Sequence, residues 1–383
     1  MPAAFATPDS SLSLGMLSTY PPTQCGLATF SAALWRELDA GHGGTGVVRV
    51  VERPEPEAHP EVVGQLVNGS ASSLREVTAL LNSFDAVVVQ HEYGIYGGVV
   101  GEDVLPVLQG LTVPSIVVLH TVLENPTADQ RRVLAELIDL ADVTVTMTRT
   151  ARERAIGLYG ADPCTVSVIP HGAVRVPAVL SVQRPPSRPL VLTWGLLGPG
   201  KGIEWAIDAM AGLRDLEPRY LVSGSTHPKV AEHEGEQYRD GLVRRAAARG
   251  VLDLVELDDS YLPGDALARL VASADVVLLP YDSKEQVTSG VLVEAVAAGR
   301  PVVSTAFPHA IELLVDGPGL IVPQGDSVAI EAALRRVLTE PGLAVDLARR
   351  AVGMAPDLLW DAVAERYRSL ARGLVRQELV TAS

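Results

Sequence analysis

Short runs of Val, Leu, Ile and Ala, each about one strand long and each followed by a helix-period stretch, recur along this chain and fix its class. In the first half they lie at 86–89, 115–119, 143–147 and 166–169. A second series occupies 190–194, 220–223, 254–257, 276–280, 301–305 and 320–323. Several of the runs are apolar on both faces, which suits parallel strands covered by helices on either side. Between the two series, 173–189 carries Pro177, Pro185, Pro186 and Pro189 with few helix formers, so an interdomain linker is expected over 176–189. The chain of 383 residues exceeds what one core usually supports. The expected fold is therefore α/β, with two Rossmann-like, doubly wound domains in tandem over 12–175 and 190–361. In such sheets ligands bind outside the carboxyl ends of the strands, so the loops after these runs are where function is sought.

A hydrophobic fraction of 47% excludes a disordered chain, and a net charge of -15 argues against non-specific nucleic-acid binding. Any phosphate site must then be built locally. Cys25 and Cys164 are too few for a disulfide framework or a zinc site and fit a reducing compartment. No basic residue precedes Arg36, and no apolar run is long enough to span a bilayer, so the expected location is cytoplasmic, with no integral membrane segment and peripheral contact left open.

Three loops carry chemistry. In QVTSGVLVEAVAAGR (286–300), Thr288, Ser289 and Gly290 are small enough to leave backbone N–H groups open to an anion at the start of a buried helix that Gly299 ends. Glu294 stands one turn into that helix, where a buried carboxylate needs a partner and the two hydroxyls of a ribose would supply one. GLLGPGKG (195–202) follows a strand and opens a helix at 203–213. Gly202 stands where a P-loop needs Ser or Thr, and the glycines at 195, 198, 200 and 202 miss the dinucleotide spacing. A glycine turn with Lys201 beside a helix start remains a good seat for a diphosphate. In the first half, Gln90, His91 and Glu92 follow a strand end, with Gly94, Gly97 and Gly98 expected to make a mobile loop suited to acceptor hydroxyls. Tyr93 and Tyr96 fit a sugar-stacking surface or a packed wall. HEYG is not a zinc motif, since residue 95 is Ile where HExxH has its second histidine.

The glycine-rich turn, Lys201, the PYDS segment at Pro280 and the acidic helix ending AAGRPVV together resemble the donor domain of retaining glycosyltransferases of family 4, which have the GT-B fold. TYPPTQCGLATFSAAL (19–34) is similar to the family's first strand-loop-helix, and VIPHG (168–172) to the segment ending its first domain. MAPDLLWDAVAERY (354–367) is similar to its terminal crossing helix, which implies that 362–383 returns to the first domain. HEYGIYGG, STHPKV, GEQYR and FPHAIELL further resemble a bacterial subgroup often presumed to be mannosyltransferases.

The resemblance implies two domains facing across a cleft and assigns roles residue by residue. Gly26 lies at the tight turn on the cleft, Gly198, Gly200 and Lys201 hold the diphosphate with Thr288, Ser289 and Gly290, and Glu294 holds the ribose. His120 reaches the reacting sugar, and His91, Glu92 and Tyr93 face the acceptor. Gln286 occupies the first position of the family's paired-glutamate motif, where glutamate is usual, with Glu285 one residue earlier. Leu196 and Leu197 fill the part of the turn where the family commonly has arginine, which makes His227 and Arg239 candidates for the diphosphate. His120, Lys201 and Gln286 form the implied catalytic set. The implied activity is retaining transfer of a hexosyl group, mannosyl from GDP-mannose first, from a GDP- or UDP-sugar to a hydroxyl of a glycan or glycoconjugate. No tightly bound cofactor and no metal are expected, since the chain has no Asp-x-Asp triplet. A sugar phosphorylase, an epimerase and a non-catalytic nucleotide-sugar-binding subunit stay open as alternatives.

Overall fold

The computed structural model describes residues 12–40, 44–57, 59–176, 188–260, 262 and 264–381. The expected linker at 176–189 falls, except at its edges, outside the described residues. The chain divides into two compact units, the first running to Pro170 and resuming at Trp360, the second covering His171–Leu359.

The first unit is built from β1 (Leu14–Ser18), α1 (Gly26–Asp39), β2 (Thr45–Val51), β3 (Val62–Val67), α2 (Ala71–Leu81), β4 (Ala86–His91), α3 (Leu105–Gln109), β5 (Ser115–Leu119), α4 (Ala128–Leu140), β6 (Val143–Thr146), α5 (Arg149–Tyr159) and β7 (Val166–Val168). Among the described residues its strands form one sheet in the order β3-β2-β1-β4-β5-β6-β7, with every pair parallel.

The second unit comprises β8 (Leu190–Trp194), α6 (Ile203–Met210), β9 (Arg219–Ser223), α7 (Pro228–Glu234), α8 (Gln237–Arg249), β10 (Val255–Asp258), α9 (Gly264–Ser273), β11 (Val276–Leu279), α10 (Gly290–Ala297), β12 (Val302–Thr305), α11 (Pro308–Leu314), β13 (Gly319–Val322), α12 (Ser327–Thr339) and α13 (Leu343–Leu358). Its described strands are also parallel, in the order β10-β9-β8-β11-β12-β13. Both sheets are doubly wound, and the strand order reverses between β1 and β4 in one unit and between β8 and β11 in the other. Those two reversals locate the crevices where ligands of open α/β sheets bind.

Helix α14 (Trp360–Thr381) belongs to the first unit because Trp360, Val363, Ala364, Tyr367 and Ala371 recur at helical spacing and are buried in that unit's core. The single helix expected over 354–367 is two helices. Pro356 near the end of α13 cannot donate an N–H to the helix, and Leu359 is extended (φ -78°, ψ 148°). There the Ala173 N–H donates to the Leu358 carbonyl at 2.8 Å, a contact inside the second unit. The helix expected at 203–213 stops at Met210 and tightens into a 3-10 turn at Ala211–Leu216. Strands β1, β2 and β3 add three members that the apolar runs did not mark; β2 is buried throughout although Arg49 sits in its middle.

Candidate functional site

In the second unit the two loops flanking the β8/β11 reversal are locked together by glycine. Gly202 has φ +62°, and a Cβ there would lie 1.9 Å from the Pro280 carbonyl oxygen, so the turn after β8 closes against the end of β11 only with glycine. The Asp282 N–H donates to the Gly200 carbonyl at 3.2 Å, and the Lys201 N–H to that of Gly198 at 3.2 Å. The other flank of the turn is stitched to β9 by Leu197 N–H to Ser225 and His227 N–H to Leu197, at 2.9 and 2.8 Å. Held this way, Lys201 places its Nζ 4.4 Å from the centroid of the buried Tyr281 ring, which stacks on Phe307 at 5.2 Å.

On the facing side, α10 starts with Ser289, whose hydroxyl accepts from the Leu292 N–H at 3.3 Å. Glu294 points to the end of β8, where Trp194 Nε1–H donates to its Oε2 at 3.2 Å. Burial pushes this carboxyl up to about 7, with the indole hydrogen bond acting in the opposite direction, although the residue keeps some accessible surface. The Thr288 hydroxyl oxygen is buried with no hydrogen-bond partner, and the Gln286 amide donates to the Thr288 carbonyl at 3.2 Å. Glu285 precedes this loop and is half-buried.

One expectation about the loop needs correcting. The Ser289 N–H, expected to be open to an anion, donates to His309 Nδ1 at 2.8 Å. Gly290 and Val291, the first residues of α10, retain the unpaired N–H groups that every helix start carries. A Cβ at Gly290 would come within 2.7 Å of His171 Nε2, so a side chain there would displace that imidazole. Both imidazoles went unnoticed in the sequence; VIPHG and FPHAIELL were visible as segments, but nothing local ties either histidine to the helix start. Each is pushed down to about 4 by burial, so both are neutral at ordinary pH.

The two candidates for an extra diphosphate contact are engaged elsewhere. His227 caps α7, its Nδ1 accepting from the Lys229 N–H at 3.2 Å, and desolvation, Lys229 and Lys201 hold it below the usual histidine range. Arg239 donates to the Gly224 carbonyl and pairs with Glu236 at 3.6 Å. Gly224 itself has φ +144° with its Cβ position 2.0 Å from the Gly195 carbonyl oxygen, so Arg239 braces the crossing of β9 under the glycine turn.

In the first unit the β1/β4 reversal gathers Gln90, His91, Glu92, Tyr93 and His120. His120 Nε2 and Gln90 Oε1 are 2.7 Å apart, and the His120 ring meets Phe30 edge-on at 4.8 Å; Phe30 lies one turn past Gly26 in α1. His91 is fully buried with neither ring nitrogen hydrogen-bonded, its ring edge-on to Tyr93 at 5.1 Å, and burial pushes it down to about 4. Glu92 accepts from the Tyr93 N–H at 3.0 Å and from the Thr121 hydroxyl. Tyr93 reaches the Gln130 carbonyl at 3.3 Å and Tyr96 the Gln90 carbonyl at 2.7 Å, so both tyrosines are wall residues. The loop after β4, expected mobile, is cross-tied: Glu102 accepts the Val99 and Val100 N–H groups at 3.0 and 2.8 Å, and Asp103 accepts that of Gly69 at 3.1 Å. Among the described residues no helix is long and apolar enough to cross a membrane.

Known proteins resemble both halves. The family model for glycosyl transferases group 1 matches residues 188–340. The D-inositol 3-phosphate glycosyltransferase of Acidothermus cellulolyticus is 30% identical over 271 residues, which are 66% of this chain and 58% of that protein. That of Actinosynnema mirum is 30% identical over 269 residues, 65% and 61% of the two chains. The chain thus spans about three fifths of these relatives. Among solved structures, Anabaena HepE in complex with UDP superposes with a TM-score of 0.75 at 15% identity, covering 95% of this chain and 100% of that one. Sucrose-phosphate synthase from Thermosynechococcus elongatus gives 0.74 at 18% identity, covering 97% and 100%. The chain has the GT-B fold, and its segment 188–340 matches the model for glycosyl transferases group 1.

Proposed function

We propose that this protein is a retaining hexosyltransferase that moves a sugar from a nucleoside-diphosphate donor to a hydroxyl acceptor without a metal ion. The observation that carries the reading is Glu294: a carboxyl one turn into α10, given one indole N–H and held up at about 7, beside a turn that presents Lys201. A ribose diol donating to both oxygens stabilises the carboxylate there and makes the nucleotide a preferred occupant. Lys201 with the Gly290 and Val291 N–H groups then stabilises charge on the departing diphosphate, the work that Mg²⁺ or Mn²⁺ does elsewhere. Gln286 offers an amide to a sugar hydroxyl, and the crevice beside His120 in the first unit takes the acceptor; His91, expected on the acceptor side, is 0% exposed and cannot meet it. Retention follows if the departing phosphate oxygen accepts the proton of the incoming hydroxyl on the same face of the sugar.

The donor and acceptor belong to the test. GDP-mannose is suggested by the subgroup motifs, UDP-hexoses by the UDP bound to Anabaena HepE, and a phosphorylated cyclitol acceptor by the names of the relatives. Release of nucleoside diphosphate is measured over a donor panel, with and without inositol phosphate and simple glycosides, in buffer and in EDTA, and the anomeric configuration of the product is read by NMR. Transfer with retention that survives EDTA is expected. Full loss in EDTA restored by Mn²⁺ removes the metal-free reading, and an inverted product removes the retaining one. A second reading, a sugar-nucleotide-binding subunit without turnover, is favoured by the uncharged Gln286 and by Leu196 and Leu197 in the turn. Tight binding with no product over the whole panel selects it.

A further inference from the structure

We infer that His309 is a positioning residue of the donor site, holding the loop that carries Gln286. The inference rests on the reading above, in which Gln286 meets the sugar. Two contacts from one residue fix the loop: His309 Nδ1 accepts the Ser289 N–H at 2.8 Å, and the His309 N–H donates to the Gln286 carbonyl at 3.4 Å. The first requires the neutral ring with its proton on Nε2, since a protonated Nδ1 cannot accept. His309 is 4% exposed and sits in the first turn of α11, directly after Phe307 and Pro308. Phe307 is itself the ring stacked beneath Tyr281 and hence beneath Lys201. The start of α11 therefore braces both sides of the site, the cation through Phe307 and the Gln286 loop through His309.

This arrangement has a chemical consequence. A helix start whose N–H groups were all open would let an anion choose among several seats. With Ser289 committed to an imidazole, the phosphate is left Gly290, Val291 and Lys201, and the Gln286 side chain is held short by its own bond to the Thr288 carbonyl. His309 touches no substrate in this scheme. It acts by limiting the orientations of Gln286 and the positions of the leaving group, an effect on turnover more than on nucleotide affinity.

The test compares His309→Ala with His309→Asn, because the asparagine Oδ1 stands close to where Nδ1 stood and can accept the same N–H. Three quantities are read: amide exchange of the 286–293 peptide in the free protein, the dissociation constant for nucleoside diphosphate, and kcat for the active donor. For His309→Ala the expectation is loss of exchange protection, nucleoside-diphosphate affinity within about 3-fold of wild type, and kcat lower by about 10-fold or more. His309→Asn should restore protection and bring kcat to within about 3-fold. An unchanged kcat in the alanine variant, affinity falling in step with kcat, or an asparagine variant no better than alanine overturns the inference. If the wild-type protein transfers nothing from any donor, the functional reading fails; the exchange pattern then still decides whether His309 holds the loop.

Discussion

The two strand reversals present the same topology but tie down their polar side chains differently. At β8/β11 the loop that carries Gln286 is tied to its scaffold, with Ser289 taken at both its N–H and its hydroxyl, Gln286 at its amide and Glu294 by Trp194, while the Thr288 and Tyr281 hydroxyl oxygens are buried without a partner. At β1/β4 the Gln90 Nε2 and both nitrogens of His91 are buried without one. Buried polar groups are rarely left unpaired in a finished site. The loop from Gln286 to Glu294 is thus pre-formed by bonds to its own scaffold, whereas in the first unit the side chains of Gln90 and His91 are fully buried with nitrogens left unpaired.

The largest effect should come from breaking the pre-formed side. Gly202→Ala puts a Cβ against the Pro280 carbonyl in a left-handed conformation, whereas Gly26, which opens α1, has nothing within 4 Å of its Cβ position. Gly202→Ala is expected to destabilise by roughly 2–4 kcal/mol and Gly26→Ala by less than about 0.5 kcal/mol. Urea unfolding of the two variants checks this. Similar losses would mean that the turns in the two units are equally constrained.

The next contrast separates binding from transfer. Lys201→Ala removes a charge-assisted contact worth about 1.5–3 kcal/mol, so calorimetry should show nucleoside-diphosphate affinity falling by roughly 10- to 100-fold. His120→Ala should leave that affinity intact and lower the transfer rate alone. A nucleotide that binds the His120 variant as weakly as the Lys201 variant contradicts the division of labour between the units.

What the sequence made legible follows the same line. Runs such as 115–119 and 190–194 coincide with β5 and β8 because strands buried on both faces are continuously apolar. Strand β2 was hidden by Arg49, whose charge is answered by Glu55 at 2.6 Å in a loop the sequence does not pair with it. Strand β1, LGMLS, was hidden by Gly15 and Ser18, which interrupt its apolar run. The glycine turn and the start of α10 were readable as candidate loops because they follow readable strands. The partners of those loops were not: His309 meets Ser289 across 20 residues and a whole strand, a distance no local pattern spans.

A smaller effect concerns pH. The Glu294 carboxyl is raised from 4.5 to about 7, so the native state binds more protons than the unfolded chain between those values, and its contribution to stability falls as pH rises across that window. Since the ionised form is the better acceptor of a diol, binding of uridine or guanosine, which carry no phosphate, should tighten by about 10-fold from pH 6 to pH 8. Glu294→Gln should bind weakly and without that slope. A flat profile in the wild type would mean that the ribose is held elsewhere.

The smallest effect is the sharpest test of the comparison, because it sets two equally shifted imidazoles against each other. His91 and His309 are both pushed down from 6.5 to about 4 by burial, so each makes the native state bind fewer protons than the unfolded chain, and each costs stability as pH falls from about 6.5 to about 4. Above pH 7 both are neutral and that difference vanishes. What remains is hydrogen bonding: His309 satisfies the Ser289 N–H, and His91 satisfies nothing within the protein. Replacing a buried unpaired polar group by an apolar one of similar size removes a desolvation cost, whereas removing the acceptor of a buried N–H creates one. At pH 7.5 His91→Leu should therefore raise stability by up to about 1 kcal/mol, and His309→Leu should lower it by about 1–3 kcal/mol. Equal destabilisation in urea unfolding would show that His91 is already satisfied, and the contrast between the two imidazoles would be lost.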